Sequence, residues 1–152
     1  MDILFYRLDG ATLEATVTTF AERTVGRGGR VAIRGTADAR LNALDAHLWT
    51  YRDDAFLPHG QAGDDHEAIQ PILLTTATDI PNGAKTLLLV DGARLKVAEL
   101  DSFDRVALIF DGNDDAATQD ARADWRLVTQ TSHTAVFWSE DDGRWVEKAR
   151  SG

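Results

Sequence analysis

The chain has 152 residues, of which 43% are hydrophobic and 27% are charged, as expected of a folded domain with one core. It contains no cysteine, which excludes disulfide bonds, thiolate catalysis and zinc sites built from cysteine. Sixteen basic residues against twenty-five acidic ones give a formal net charge of −9, which disfavours direct binding to a nucleic-acid backbone.

Strands and helices alternate in the first third of the chain. The apolar run Ile3–Leu8 predicts a strand, and Gly26, Gly28 and Gly29 are expected to end the helix that follows it. One face of that helix carries Leu13, Val17, Phe20 and Thr24. Val31–Ile33 predicts a second strand, and Thr36 is expected to cap a second helix. The inward face of this helix is predicted to hold Ala37, Leu41, Leu44 and Leu48.

The rest of the chain continues the alternation after a long polar stretch, Tyr51–Ile69, which is rich in Asp, Gly and His and typical of a functional loop. Apolar runs predict strands at Pro71–Thr75, Thr86–Asp91, Arg105–Phe110 and Thr134–Trp138. A third helix is predicted over Asp115–Gln130, and residues 139–152 are expected to form a C-terminal tail. The pattern predicts a single α/β domain over residues 1–152, with a mostly parallel central sheet flanked by helices.

Enzyme signatures are weak. The string His66-Glu67-Ala68-Ile69-Gln70 resembles a zinc-protease helix, but Gln70 stands where the second histidine is needed. A metal site in which His47, His59 and His66 meet Asp64 and Asp65 is a second possibility. Nucleotide binding needs glycines in the turn after the first strand, where this chain has only Gly10. A nucleotide-binding or metal-dependent enzyme on this fold stays open as one interpretation, and a binding module without an active site is the other.

A basic segment interrupts the acidic sequence. Between Arg23 and Arg40 it holds five arginines and one acid, Asp38. The segment is interpreted either as a solvated rim around a helix end or as a phosphate site. Direct binding of DNA through it is a further, weaker possibility. The N-terminus shows no export signal and no apolar run approaches the ~20 residues of a membrane-spanning helix, so we expect a cytoplasmic protein.

The third helix carries the most distinctive surface. At ~100° per residue, Ala117, Ala121 and Val128 form a narrow stripe, and Trp125 lies at its edge. Arg122 and Arg126 follow on the outer face. A half-buried Trp flanked by two guanidinium groups suits the capture of an apolar side chain that carries a carboxylate. The competing interpretation makes Trp125 a core residue and lets the arginines balance Asp120 and Asp124.

Nine short strings in this order resemble the chi subunit of the bacterial DNA polymerase III holoenzyme. They are Phe5-Tyr6-Arg7-Leu8, Gly29-Arg30-Val31, Leu44-Asp45-Ala46-His47-Leu48-Trp49-Thr50-Tyr51, Phe56-Leu57-Pro58-His59-Gly60, Gln70-Pro71-Ile72-Leu73-Leu74-Thr75, Pro81-Asn82-Gly83-Ala84, Phe110-Asp111-Gly112, Ala121-Arg122 followed by Trp125, and Gly143-Arg144-Trp145. The resemblance covers nearly the whole chain.

This resemblance implies a fold like that of mononucleotide-binding (Rossmann-like) domains and a role without an active site or cofactor. It implies an accessory subunit of the clamp loader that pairs with the psi subunit and binds the acidic C-terminal tail of single-stranded-DNA-binding protein. The tail would be held by Arg122, Trp125 and Arg126, with Phe56 and Trp49 lining the apolar part. Polymerase activity would belong to the whole assembly.

Overall fold

The computed structural model describes residues 1–50 and 58–151, apart from the side chain of Trp49. Strands and helices alternate along most of this length. In chain order they are β1 (Asp2–Leu8), α1 (Leu13–Gly26), β2 (Val31–Arg34), α2 (Asp38–Thr50), β3 (Gly60–Gln61), β4 (Ile72–Thr75), β5 (Thr86–Leu89), β6 (Arg105–Asp111), α3 (Asp115–Thr129), β7 (Thr134–Asp141) and β8 (Arg144–Arg150). Short 3-10 turns occupy Glu67–Ile69 and Val97–Ser102.

The described strands form one sheet in the order β3-β4-β2-β5-β6-β1-β7-β8. β1 to β7 pair in parallel, and β8 pairs antiparallel with β7. Two apolar clusters cover the two faces, as the alternation of side chains along a strand requires. α3 packs on one face, which includes Ile3 and Phe5, whereas α1 and α2 pack on the other, which includes Leu8 and Ile33. The single α/β domain with a mostly parallel sheet is confirmed.

Polar capping residues mark where α1 and α3 begin, and a glycine follows the end of α1. Thr12 caps α1, because its hydroxyl oxygen accepts a hydrogen bond from the backbone N–H of Ala15 at 3.1 Å. Asp114 caps α3 in the same way, with the N–H of Ala117 as donor at 3.2 Å. α1 ends where Gly28 takes a φ of 81°, a left-handed conformation that glycine adopts without strain. The predicted glycine stop is confirmed.

Three details of the prediction are wrong. Thr36 does not cap α2: it precedes the first helical residue by two positions, and its hydroxyl donates to the carbonyl of Asp91 at 2.8 Å. Ala37 is exposed, whereas Leu41, Leu44 and Leu48 are buried as predicted. The expected tail contains a strand, because residues 139–141 extend β7 and Arg144–Arg150 returns along it as β8.

Candidate functional site

α3 is fixed to the body of the protein by one buried acid. The Asp124 side chain is 1% exposed. Its Oδ1 accepts hydrogen bonds from Nη2 of Arg94 at 2.8 Å and from Nε of Arg94 at 3.1 Å. The backbone N–H of Leu95 also donates to Asp124, at 3.3 Å. These charge-assisted hydrogen bonds raise the pKa of Arg94 above its ordinary value, so the guanidinium stays charged. The anchor sets which residues of α3 face outward.

Trp125, the next residue, straddles the edge of the core. Its ring packs edge-to-face on Phe5 of β1, with ring centroids 5.4 Å apart and an interplanar angle of 61°. The residue is half-buried, so part of the indole remains open to solvent. This position agrees with the predicted edge of the helix stripe, in which Ala121 and Val128 are buried and Ala117 is half-buried.

Arg122 and Arg126 lie one helical turn apart on the exposed face of α3. Neither makes a hydrogen bond or an ion pair with any residue in the described part of the chain. Asp120 and Asp124 are instead both bound by Arg94, at 3.4 and 2.8 Å. The interpretation in which the two arginines balance these acids is therefore wrong. Arg126 in the last turn still complements the negative end of the helix dipole.

Two further aromatic rings, which were not predicted as part of the site, lie on the same face of the sheet as Trp125. Phe110 and Phe137 stack with centroids 6.5 Å apart and pack against the cluster that holds Phe5 and Trp125. Phe5, Phe110 and Phe137 each occupy an alternating, core-facing position of their strand. This alternation is the sequence signal that could have indicated them. The sequence did not show which face α3 covers, because that depends on the strand order.

The remaining predicted pocket residues are not placed. Trp49 belongs to the last turn of α2, but its side chain lies outside the described part, and so does the whole of Phe56. Their predicted place beside α3 stays a prediction.

The turn after β1, where a mononucleotide-binding fold would hold a phosphate, is filled by a side chain. Oε1 of Glu140 on β7 accepts hydrogen bonds from the backbone N–H groups of Asp9 and Ala11, at 2.8 and 3.2 Å. These donors are the groups that a phosphate would use. A carboxylate of the protein already satisfies them, which weighs against nucleotide binding at this turn.

The cleft above this turn also carries the wrong charge for phosphates. It measures about 820 Å³ at the carboxyl ends of β1, β5 and β6, where ligands of open α/β sheets bind. Six carboxylate residues line it: Glu14, Asp91, Asp111, Asp114, Asp120 and Asp124. The two arginines of its lining, Arg40 and Arg94, are already in ion pairs with these acids. The net negative lining disfavours an anionic ligand.

The predicted metal alternative finds no supporting arrangement. Nε2 of the buried His59 lies 3.1 Å from a carboxylate oxygen of Asp45, whereas His66 is exposed. Glu67–Ile69 forms a 3-10 turn rather than the helix that a zinc-protease motif needs. Over residues 1–50 and 58–151, no three His, Asp or Glu side chains converge as metal ligands.

The basic segment separates into two groups. Arg30 donates to the carbonyl oxygens of Ala68 and Asn82, the buried Arg34 pairs with Glu99 at 2.5 Å, and Arg40 pairs with Asp91 and Glu14. Arg23 and Arg27 are exposed and make no hydrogen bond or ion pair with a described residue. Most of the segment therefore stabilises the fold.

None of the described helices has the length and apolar character that crossing a membrane requires.

Comparison with known proteins supports the resemblance that the short sequence strings carry. The sequence profile of the family "DNA polymerase III chi subunit, HolC" matches residues 1–135. A probable DNA polymerase III subunit chi of Rickettsia prowazekii (strain Madrid E) is 38% identical over 73 residues, which are 45% of this chain and 44% of that protein. The match thus spans less than half the length of this relative. Because the family profile covers most of the chain, the protein belongs to the DNA polymerase III chi subunit family.

Proposed function

We propose that this chain is a non-catalytic subunit of a DNA polymerase III clamp-loader assembly in the cytoplasm. On α3 it would bind the acidic C-terminal tail of single-stranded-DNA-binding protein, and on another surface it would pair with the psi subunit. In this role the chain links the replicase to DNA that is coated with that protein. Polymerase chemistry then belongs to the assembly.

The tail-binding part is supported above all by the pair of arginines that lack partners in the described structure. Arg122 and Arg126 flank the half-buried ring of Trp125, and their acidic neighbours on α3 are held by Arg94. Two free guanidinium groups beside an aromatic edge match a ligand that ends in an apolar side chain and a free carboxylate. A tail that ends in Pro-Phe has this chemistry.

The expected affinity is modest. One ring in a half-open aromatic pocket and one paired carboxylate give a Kd of about 1 μM, roughly −8 kcal/mol. Loss of the arginine that holds the carboxylate would cost about 2 kcal/mol or more, because a charge is left unpaired at the interface.

Fluorescence polarisation with a labelled acidic peptide that ends in Pro-Phe tests the proposal. Wild-type protein should bind it saturably, whereas Arg126→Glu and Trp125→Ala should abolish binding. Circular dichroism checks that both variants fold. Trp125→Tyr serves as a second variant that keeps an aromatic ring on Phe5.

A matched control is Arg144→Glu. Arg144 is exposed and makes no ion pair with a described residue, and its backbone pairs with Asp141 at the end of β7, whereas Arg126 lies in the last turn of α3, before β7 begins. It removes the same charge and should leave the affinity unchanged. Equal losses in Arg144→Glu and Arg126→Glu would show that net charge, and not the α3 surface, controls binding, and would refute the site.

Pairing with psi rests on membership of the family. Mixing the chain with a psi subunit and measuring the mass of the complex by light scattering should give a one-to-one heterodimer. Two separately eluting proteins at micromolar concentration would reject pairing while leaving tail binding intact.

A further inference from the structure

A second groove lies on the opposite face of the sheet from α3. It has a volume of about 250 Å³ and runs along α1, with Tyr6 of β1 and Trp145 of β8 among its walls. The other lining residues are Ala11, Ala15, Thr16, Thr19, Phe20, Arg23, Arg27 and Arg105. Small side chains of α1 thus form one wall, and three arginines gather at the end near the C-terminus of the helix.

These three arginines stand out from the other basic residues. Within the described part of the chain, six arginines make no side-chain hydrogen bond or ion pair with a described residue: Arg23, Arg27, Arg105, Arg122, Arg126 and Arg144. Half of them line this one groove, in a protein with a net charge of −9. Like charges placed together without partners repel one another, so a bound anion would stabilise the cluster.

The aromatic rings of the groove are packed edge to face. Tyr6 meets Trp145 at 5.1 Å and 76°, and Phe20 at 6.4 Å and 77°. A face of Tyr6 is taken by Trp138, which stacks on it at 6.3 Å and 28°. No two of these rings leave a parallel slot for a flat nucleobase, and base stacking is the main attraction of single-stranded nucleic acid to aromatic sites. A large apolar side chain that packs against ring edges suits perpendicular rings better.

The three guanidinium groups also act on the Tyr6 hydroxyl. Burial raises the pKa of Tyr6 above its ordinary value, while the charges of Arg105, Arg23 and Arg27 oppose that shift. The hydroxyl makes no hydrogen bond with a described residue. A donor and three cations therefore face the same half-buried space.

We propose that this groove is a second docking site, which takes an acidic segment of a partner protein that carries one large apolar side chain. The apolar side chain enters beside Tyr6 and Trp145, and carboxylates of acidic residues next to it in the segment meet Arg23, Arg27 and Arg105. The segment needs no free C-terminus, because three arginines, from the C-terminal end of α1 and from β6, offer contacts to several side-chain carboxylates. In this the site differs from the proposed tail site on α3.

A blocked peptide tests the proposal without involving the tail site. The probe is a labelled heptapeptide with three acidic residues on each side of one Phe, acetylated and amidated so that it has no terminal carboxylate. Wild-type protein should bind it, and Arg27→Glu combined with Arg105→Glu should weaken binding by at least about tenfold. Arg144→Glu, at an exposed arginine that belongs to neither proposed site, is the charge control and should change Kd by less than about twofold.

Two more measurements complete the test. Replacing the central Phe of the probe by Ser should weaken binding, and in labelled protein the indole N–H resonance of Trp145, assigned with Trp145→Phe, should shift on titration. No binding by folded wild-type protein overturns the proposal. So does tighter binding of an oligothymidine that depends on the same arginines, since the groove would then be a nucleic-acid site.

Discussion

Asp124 is the residue on which the orientation of α3 depends most. It is buried, and its main partner is the half-exposed Arg94. A buried carboxylate that loses its cation keeps the full cost of desolvation. The apolar periodicity of α3 did not show this, because a buried, paired acid interrupts the pattern from which burial is inferred.

Arg94→Ala should therefore destabilise the protein by about 3 kcal/mol, with only the N–H of Leu95 left to Asp124. Urea denaturation measures the change in the free energy of unfolding. Arg122→Ala, on the same helix but without a described partner, should cost less than about 0.5 kcal/mol. Equal costs for the two variants would contradict the anchor.

Tyr6 gives stability an alkaline limit. Its pKa in the folded protein is raised above the ordinary value of 10.0 by burial, so folding favours the neutral phenol. This contribution is complete below pH 10 and is lost as the pH rises through the folded-state pKa. The free energy of unfolding of wild-type protein should fall more steeply above pH 10 than that of Tyr6→Phe, as followed by urea denaturation at several pH values. Parallel curves would show that Tyr6 titrates alike in both states.

At the scale of elements, Glu140 ties the turn after β1 to β7. Its carboxylate accepts hydrogen bonds from the N–H groups of Asp9 and Ala11. These two residues belong to the turn that leads from β1 into α1. Glu140→Ala should cost about 1–2 kcal/mol, since both donors lose a charged acceptor. Amide hydrogen exchange should become faster at Asp9 and Ala11 while the amides of β6 keep their protection. Unchanged exchange at the turn would refute this role.

Elements with a clear apolar period were predictable, and elements defined by their partners were not. The stripe of α3 and the glycine stop of α1 follow from local sequence. β8 is an exposed edge strand whose two large apolar residues, Trp145 and Val146, are adjacent, so no alternation of apolar and polar residues marked it. Its existence depends on pairing with β7 and on the contact of Trp145 with Tyr6.

The whole molecule is acidic, yet its partner on α3 is proposed to be acidic too. Long-range repulsion and local attraction are both screened by salt, so their changes oppose each other. The Kd of the tail peptide should rise by less than about threefold between roughly 0.05 and 0.3 M salt. Fluorescence polarisation measures this change. A Kd that rises by tenfold or more would show that net electrostatic attraction steers binding, which contradicts the expected balance of repulsion and attraction.

Sequence alone placed three of the five predicted tail-binding residues on one outward face of α3, because helix geometry fixes the relation of Arg122, Trp125 and Arg126. It could not decide whether the arginines were already paired. That required the strand order, which brings Arg94 to Asp120 and Asp124. Trp49 and Phe56 belong to segments whose approach to α3 no local pattern determines.

The most direct measurement is a thermodynamic cycle by isothermal titration calorimetry. It compares the tail peptide with its C-terminal amide on wild-type protein and on Arg122→Gln combined with Arg126→Gln. Amidation should weaken binding to wild-type protein by about 2 kcal/mol but should have little further effect on binding to the variant. An equal loss from amidation in both proteins would show that another group holds the carboxylate and would contradict the central claim.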